Sequence, residues 1–236
     1  MPIFDIIAFD ADDTLWHSER LYVDAQTQFT QLLTHYHDRE WVDDHLYQTE
    51  MQNIQMFGYG VKAFTLSMIE TAIKLTEGRI TGADIRAIMD LGKKMLSAEV
   101  ELLDSVRDSL ATLATRYPLM VITKGDLLDQ ERKMAHSGLA EYFQHVEIVS
   151  QKSPERYARL LNQHSIEPTR FLMVGNSLKS DILPVLAVGG SAAHIPYEVT
   201  WLHEVAEPPA AGQAGYYPLE RMGQLPSLLD ELERRF

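Results

Sequence analysis

The residues best suited to chemistry in this chain are the acidic ones that follow its first apolar run. Asp10, Asp12 and Asp13 come directly after the apolar residues 6–9. Such a run predicts a buried strand, and open α/β sheets bind their ligands at the carboxyl ends of their strands. Carboxylates at positions i and i+2 could hold a hard cation, or could act as oxygen nucleophile and proton donor. An acidic turn in which Asp13 or Thr14 caps the next helix would explain the same residues without chemistry.

Further polar residues follow later candidate strands in a fixed order. Thr123, Lys124 and Gly125 come first, then Lys152, and then Asn176 with Asp181 in the same segment. This ordered set resembles the haloacid dehalogenase (HAD) superfamily of phosphotransferases, and the resemblance covers nearly the whole chain. The combination is far more specific than any one of its elements.

The resemblance implies a role for each of the acidic residues. Asp10 would attack phosphorus to form an aspartyl-phosphate, and Asp12 would protonate the leaving alcohol and then deprotonate the hydrolytic water. The implied cofactor is Mg²⁺, held by the Asp10 side chain, the Asp12 backbone carbonyl and Asn176, with Asp181 holding bound waters. Asn176 departs from the family pattern, in which an aspartate is usual. Its amide oxygen can still bind a metal, but the lost charge predicts weaker affinity.

Four residues are candidates for binding the phosphate group. The Thr123 hydroxyl and the backbone N–H of Gly125 or a neighbour could donate to phosphate oxygens. Lys152 would neutralise charge on the nucleophile and on the phosphoryl group. Lys124 stands where the family often has a neutral residue. It is predicted either to face solvent or to contact the substrate or the acidic loop.

The spacing of apolar residues predicts an α/β fold with a Rossmann-like parallel sheet core and an inserted α-helical cap domain. Between the first strand and residue 98, helical patterns recur with little strand character. From Val106 helices and strands alternate, as in a parallel sheet. The predicted domains are a core of residues 1–16 and 98–236 and a helical cap of residues 17–97.

Composition excludes several classes of protein. The 236 residues carry a net charge of −13, which disfavours broad nucleic-acid or anionic-membrane surfaces. The chain has no cysteine, so disulfides, thiolate metal sites and a cysteine nucleophile are excluded. No basic leader and no apolar segment of membrane-spanning length is present, so a soluble cytoplasmic protein is expected. Oligomeric state is not predicted.

The predicted function is Mg²⁺-dependent hydrolysis of a small phosphate monoester. A phosphorylated metabolite is the predicted partner, and the helical cap is predicted to select the leaving group.

Alternative functions differ in what they require of these residues. A phosphomutase would need the same residues. A haloacid dehalogenase is disfavoured because it needs neither a metal nor Asp12 as an acid. A phosphonate hydrolase would want a Schiff-base lysine in the cap, for which Lys62 and Lys74 qualify only by position. A catalytically impaired binding protein of the same fold stays open because of Asn176. A signalling receiver is disfavoured because its acceptor aspartate would lie on a middle strand.

Two other groups of residues have no clear function in the sequence. Residues 58–60, Gly-Tyr-Gly, are predicted to form a turn between two cap helices, or alternatively a loop that contacts the leaving group. No role is predicted for His194, Trp201, His203 and Glu204, which cluster near the C-terminal loop.

Overall fold

A computed structural model describes residues 3–210 and 212–235 of the chain. The chain forms two compact units. The first comprises Met1–Glu19, Val100–Lys124 and Arg132–Phe236, and the second comprises Arg20–Glu99 and Gly125–Glu131. In the described part of the chain, no helix is both long enough and apolar enough to cross a membrane.

The first unit is built on a six-stranded parallel sheet with the order β3-β2-β1-β4-β5-β6. Its strands are β1 (Ile6–Phe9), β2 (Leu119–Lys124), β3 (His145–Val149), β4 (Phe171–Gly175), β5 (Ser191–His194) and β6 (Tyr216–Pro218). The predicted α/β class with a Rossmann-like parallel sheet is confirmed. β1 lies between β2 and β4, and every one of its residues is buried, as its unbroken apolar run predicts.

Helices cover the two faces of this sheet. The α-helices after residue 100 are α5 (Val106–Ala114), α6 (Leu127–Ser137), α7 (Pro154–Gln163), α8 (Leu183–Ala187) and α9 (Leu225–Arg235). Successive strand residues point to opposite faces, so Phe9 packs in one apolar cluster with Leu110 and Leu229, and Ala8 packs in another with Tyr157. The central strands β1 and β4 are therefore buried on both sides, whereas the edge strands β3 and β6 are partly exposed.

The second unit consists mainly of α1 (Glu19–Leu33), α2 (Arg39–Phe57), α3 (Val61–Leu75) and α4 (Gly82–Leu96). The helical patterns predicted within residues 21–36, 61–75 and 85–96 are confirmed. These helices share one apolar cluster that includes Phe29, Leu46 and Met68. Residues 58–60 form a turn between α2 and α3, where Gly58 and Gly60 have φ angles of 74° and 113° that favour glycine.

The C-terminal part of the first unit differs from the sequence-based prediction. β5 and β6 were not predicted, because both are short and are bordered by glycine and proline. The sequence also predicts that Asp181 caps a short helix with Pro184 in its first turn. Asp181 lies instead inside a π-helical turn, Leu178–Ile182, whose N-cap is Ser177. The Ser177 hydroxyl accepts from the backbone N–H of Ser180 and so caps this turn.

Candidate active site

The site lies at the carboxyl edge of the sheet, within the first unit. Asp10 follows β1, Thr123 and Lys124 end β2, and Asn176 follows β4. Phe9 is in register with Val121 of β2 and Val174 of β4. The strand order therefore brings three of the predicted motifs to one edge, with Asp10 in the middle.

Lys152 joins Asp10, the predicted nucleophile, to Asp181, which was predicted to hold waters bound to the metal. Its Nζ donates to Oδ1 of Asp10 and, at 2.6 Å, to Oδ1 of Asp181. The side chains of Lys152 and Asp181 are 1% and 0% exposed, and that of Asp10 is 11% exposed. Lys152 immediately precedes α7, whose start is fixed by the Ser153 cap and by Pro154 in the first turn. The rigid start of a helix thus holds the lysine against both acids.

Asp181 is held by backbone as well as by Lys152. Its Oδ2 accepts the backbone N–H of Ser177 at 3.0 Å. A Cβ atom on Gly175 would lie 2.3 Å from the same oxygen, so only glycine at the end of β4 leaves room for this carboxylate. Gly175, Ser177 and Asp181 are therefore tightly packed against one another.

Asn176 and Asp12 have partners within the same edge. The Asn176 side-chain oxygen accepts the Thr14 hydroxyl at 3.2 Å. Oδ1 of Asp12 accepts the Trp16 indole N–H at 2.7 Å and the Lys133 ammonium at 3.0 Å. Sequence reasoning missed both Trp16 and Lys133, although the position of Trp16 four residues after Asp12 was a usable signal. These donors fix the orientation of the carboxyl group proposed as the acid.

Asp13 takes the structural role that was the alternative for the acidic stretch. Its carboxylate accepts the backbone N–H groups of Ser18 and Glu19, at 2.8 and 3.0 Å, where α1 begins. Its φ angle of 61° is in the left-handed region, which aspartate tolerates better than most residues. Burial raises the pKa of Asp13 to about 6, against the opposing effect of these hydrogen bonds. The acidic stretch therefore contains a helix cap, Asp13, as well as the candidate site residues Asp10 and Asp12.

The residues that follow β2 have distinct environments. Thr123 is buried, and its hydroxyl donates to the Lys124 carbonyl at 3.3 Å. Lys124 Nζ donates to Glu204 Oε1 at 2.6 Å and to the Ser180 hydroxyl at 2.9 Å. Gly125 has a φ angle of 127°, which favours glycine where the chain leaves the strand. Contact of these residues with phosphate stays a prediction.

Comparison with known proteins establishes the family. The haloacid dehalogenase-like hydrolase family matches this sequence over residues 4–189. The chain belongs to that family. It is therefore a HAD-like hydrolase, and the predicted membership of the HAD superfamily is confirmed.

Solved structures of other HAD-like proteins share the fold. A haloacid dehalogenase-like family hydrolase from Xanthomonas campestris is 39% identical, with a TM-score of 0.88, over 99% of this chain and 93% of that one. The HAD-hydrolase YfnB from Bacillus subtilis, bound to magnesium, is 14% identical with a TM-score of 0.66, over 96% and 99% of the two chains. The L-2-haloacid dehalogenase from Xanthobacter autotrophicus is 15% identical with a TM-score of 0.64, over 96% and 98%. No curated protein sequence matches the chain.

The charges of this HAD-like site act on one another strongly. Burial and the neighbouring Asp181 carboxylate raise the pKa of Asp10 to about 7, although Lys152 acts in the opposite direction. Burial alone would lower the pKa of Lys152, but Asp10 and Asp181 more than offset this and raise it. Lys152 is therefore a permanent cation, and it is the group that favours ionised Asp10.

The donor set of the site suits a hard cation. Among the described residues, no three His, Asp or Glu side chains converge as a metal cage. Mg²⁺ does not require one, because it usually keeps several waters and binds one or two carboxylates. Asp10, Asp181 and the Asn176 amide supply oxygen atoms only, which is the ligand type that Mg²⁺ prefers. These residues therefore fit the metal that the family resemblance implies.

Glu204, for which the sequence predicts no role, lies beside the candidate site. It ends a 3₁₀ turn, Leu202–Glu204, in the C-terminal segment, and it is paired with Lys124. Its second oxygen accepts the hydroxyl groups of Ser177 and Ser180. Burial would raise the pKa of Glu204, but Lys124 and these hydrogen bonds lower it to about 2. Nothing in the local sequence marks this glutamate, whose partners lie at least 24 residues away.

Proposed function

We propose that this HAD-like hydrolase is a Mg²⁺-dependent phosphatase that hydrolyses a small phosphate monoester through an aspartyl-phosphate. The observation that carries the proposal is the buried group of Lys152 with Asp10 and Asp181, next to a second carboxyl at Asp12. A phosphate dianion repels a carboxylate nucleophile unless cations screen both of them. Lys152 supplies one such cation at Asp10, and the oxygen donors around it suit another.

The chemistry divides between Asp10 and Asp12. A carboxylate oxygen of Asp10 forms a bond to phosphorus while the ester P–O bond breaks, and the proton of Asp12 passes to the departing alkoxide oxygen. Asp12 then removes a proton from water, which attacks phosphorus and releases inorganic phosphate and Asp10. Asp10, Asn176 and the Asp12 backbone carbonyl would hold Mg²⁺, with Asp181 on its waters, and the bound ion would neutralise charge on the phosphoryl oxygens.

Substrate selection is assigned to the helical unit. Its larger part, Arg20–Glu99, lies in the chain between β1, which precedes the proposed nucleophile, and β2, which ends at the proposed phosphate-binding residues. We propose that this unit acts as the cap that selects the leaving group. A small phosphorylated metabolite is the proposed substrate class, since the net charge of −13 disfavours polyanionic partners.

A direct assay tests this function against dehalogenation. The purified chain is given a panel of small phosphate esters and a panel of 2-haloacids, each with Mg²⁺ or with EDTA. We expect phosphate release that requires Mg²⁺ and no halide release. Halide release that is insensitive to EDTA would replace the proposal with a dehalogenase. A phosphomutase would instead convert a bisphosphate-primed sugar phosphate to its isomer without net release of phosphate.

The role of Asp12 gives a prediction that depends on the leaving group. We expect Asp12→Asn to slow hydrolysis of alkyl phosphates by about 10²–10⁴-fold, because a general acid typically contributes that much. Aryl phosphates with an acidic phenol should be affected far less, because they need no proton. The measurement is kcat/KM for both substrate types. Asp13→Asn, which keeps a capping side chain, is the control. Equal losses of kcat/KM on both substrate types in the Asp12 variant would show that Asp12 is not the general acid.

A further inference from the structure

Glu204 connects the C-terminal segment to the motif that follows β4. Its side chain is only 13% exposed, and that of its partner Lys124 is 16% exposed. Oε1 of Glu204 accepts from Lys124 at 2.6 Å, and Oε2 accepts from two serine hydroxyls. Hydrogen bonds to an ionised acceptor are roughly twice as strong as neutral ones. Glu204 is therefore hydrogen-bonded through both of its carboxylate oxygens.

The two serines lie next to the two proposed metal-binding residues, in the segment of residues 177–181 that contains most of the π-helical turn. Ser177 follows Asn176, and Ser180 precedes Asp181. Ser177 also donates its backbone N–H to Asp181 and accepts the backbone N–H of Ser180 at 3.0 Å. A displacement of either serine would therefore move Asn176, Asp181 or both.

We propose that Glu204 is a positioning residue, which holds the turn of residues 177–181 so that Asn176 and Asp181 present their oxygens to the cation. This inference rests on the proposed function, because it assigns the cation to those two residues. Groups that orient metal ligands commonly change metal affinity when they are lost.

A merely structural role for Glu204 would have a different consequence. If Glu204 only attached its 3₁₀ turn to the sheet, its loss would lower stability and leave the metal affinity of the folded protein unchanged. The positioning role requires that metal affinity change in protein that is still folded. Direct measurement of Mg²⁺ binding therefore separates the two, and it does not depend on turnover.

The test compares Glu204→Gln with Glu207→Gln in the full chain. Glu207 is an exposed glutamate in the same segment, so its variant loses the same charge without the contacts. Mg²⁺ alone is titrated into substrate-free protein by calorimetry, and hydrogen exchange is followed in peptides covering residues 176–182. For Glu204→Gln we expect Mg²⁺ affinity to fall by about tenfold, at the lower end of the range for such groups. Exchange across the turn should become faster. Glu207→Gln should match wild type in both measurements.

Each outcome decides the inference. Unchanged exchange, or faster exchange with unchanged Mg²⁺ affinity, would overturn it. If Glu204→Gln does not fold, Ser180→Ala removes one of the same hydrogen bonds from the turn itself and must show both effects, in smaller size. Absence of Mg²⁺ binding by the wild-type protein would instead overturn the metal assignment and with it the proposed function.

Discussion

Asp10→Asn is expected to lower kcat for phosphate ester hydrolysis by at least about 10³-fold, because an amide cannot form the aspartyl-phosphate. The fold should survive the change. The side-chain oxygen of the introduced asparagine can still accept from Lys152, and the backbone N–H of residue 10 still donates to the Val174 carbonyl at 2.9 Å. Since burial and Asp181 raise the pKa of Asp10, the fold disfavours its charge. A neutral side chain should therefore leave the midpoint of thermal unfolding unchanged or raise it.

The measurement is kcat at saturating substrate and Mg²⁺, with thermal unfolding of the same preparation. Asp104→Asn is the control, because Asp104 is an exposed aspartate of the same unit and its variant should match wild type. Mass spectrometry of the variant excludes conversion of the new asparagine back to aspartate. Turnover within tenfold of wild type in verified protein would show that Asp10 is not the nucleophile.

The first strand, the position of Asp10 and the start of α7 were predictable because their signals are local. The unbroken apolar run of residues 6–9 marks a strand buried on both faces, and Asp10 must then emerge at its carboxyl end. The Ser153 and Pro154 pair marks the start of α7 just as plainly. That Lys152 reaches Asp10 across 142 positions was expected only from the family resemblance.

The surroundings of the site were not predictable because they depend on long-range packing. Lys124 donates a hydrogen bond to Glu204, 80 positions away, because the segment that follows β5 passes the carboxyl end of β2. Lys133 lies on α6 in a charged stretch that favours a solvated helix face, yet it reaches Asp12. Asp181 was expected at a helix N-cap because aspartate is common there. Its carboxylate is instead buried against Gly175 and Lys152, inside a turn that Ser177 caps.

Lys152→Met is the second change with a large expected effect, since it removes the cation that Asp10 and Asp181 share. We expect kcat to fall by about 10²–10³-fold, the usual size for the loss of one electrostatic group at a reacting centre. Stability should also fall at pH 8, by about 3–5 kcal/mol, because two buried carboxylates lose their partner. Lys152 lowers the pKa of Asp10, so that pKa rises further in the variant. Asp10 then takes up a proton at higher pH than in wild type, and the stability deficit should shrink as the pH falls towards 5.

Kinetics at saturating Mg²⁺ and denaturant unfolding at pH 5 and pH 8 measure these two effects separately. Lys94→Met, on the exposed side of α4, is the matched control and should change neither. Lys152→Arg keeps the charge, but the lysine side chain is 1% exposed and the larger guanidinium does not fit the same space, so only partial activity should return. If the loss of stability in Lys152→Met is the same at pH 8 and pH 5, this explanation is wrong. Lys152 would then stabilise the fold by packing alone and would not act on the charge of Asp10.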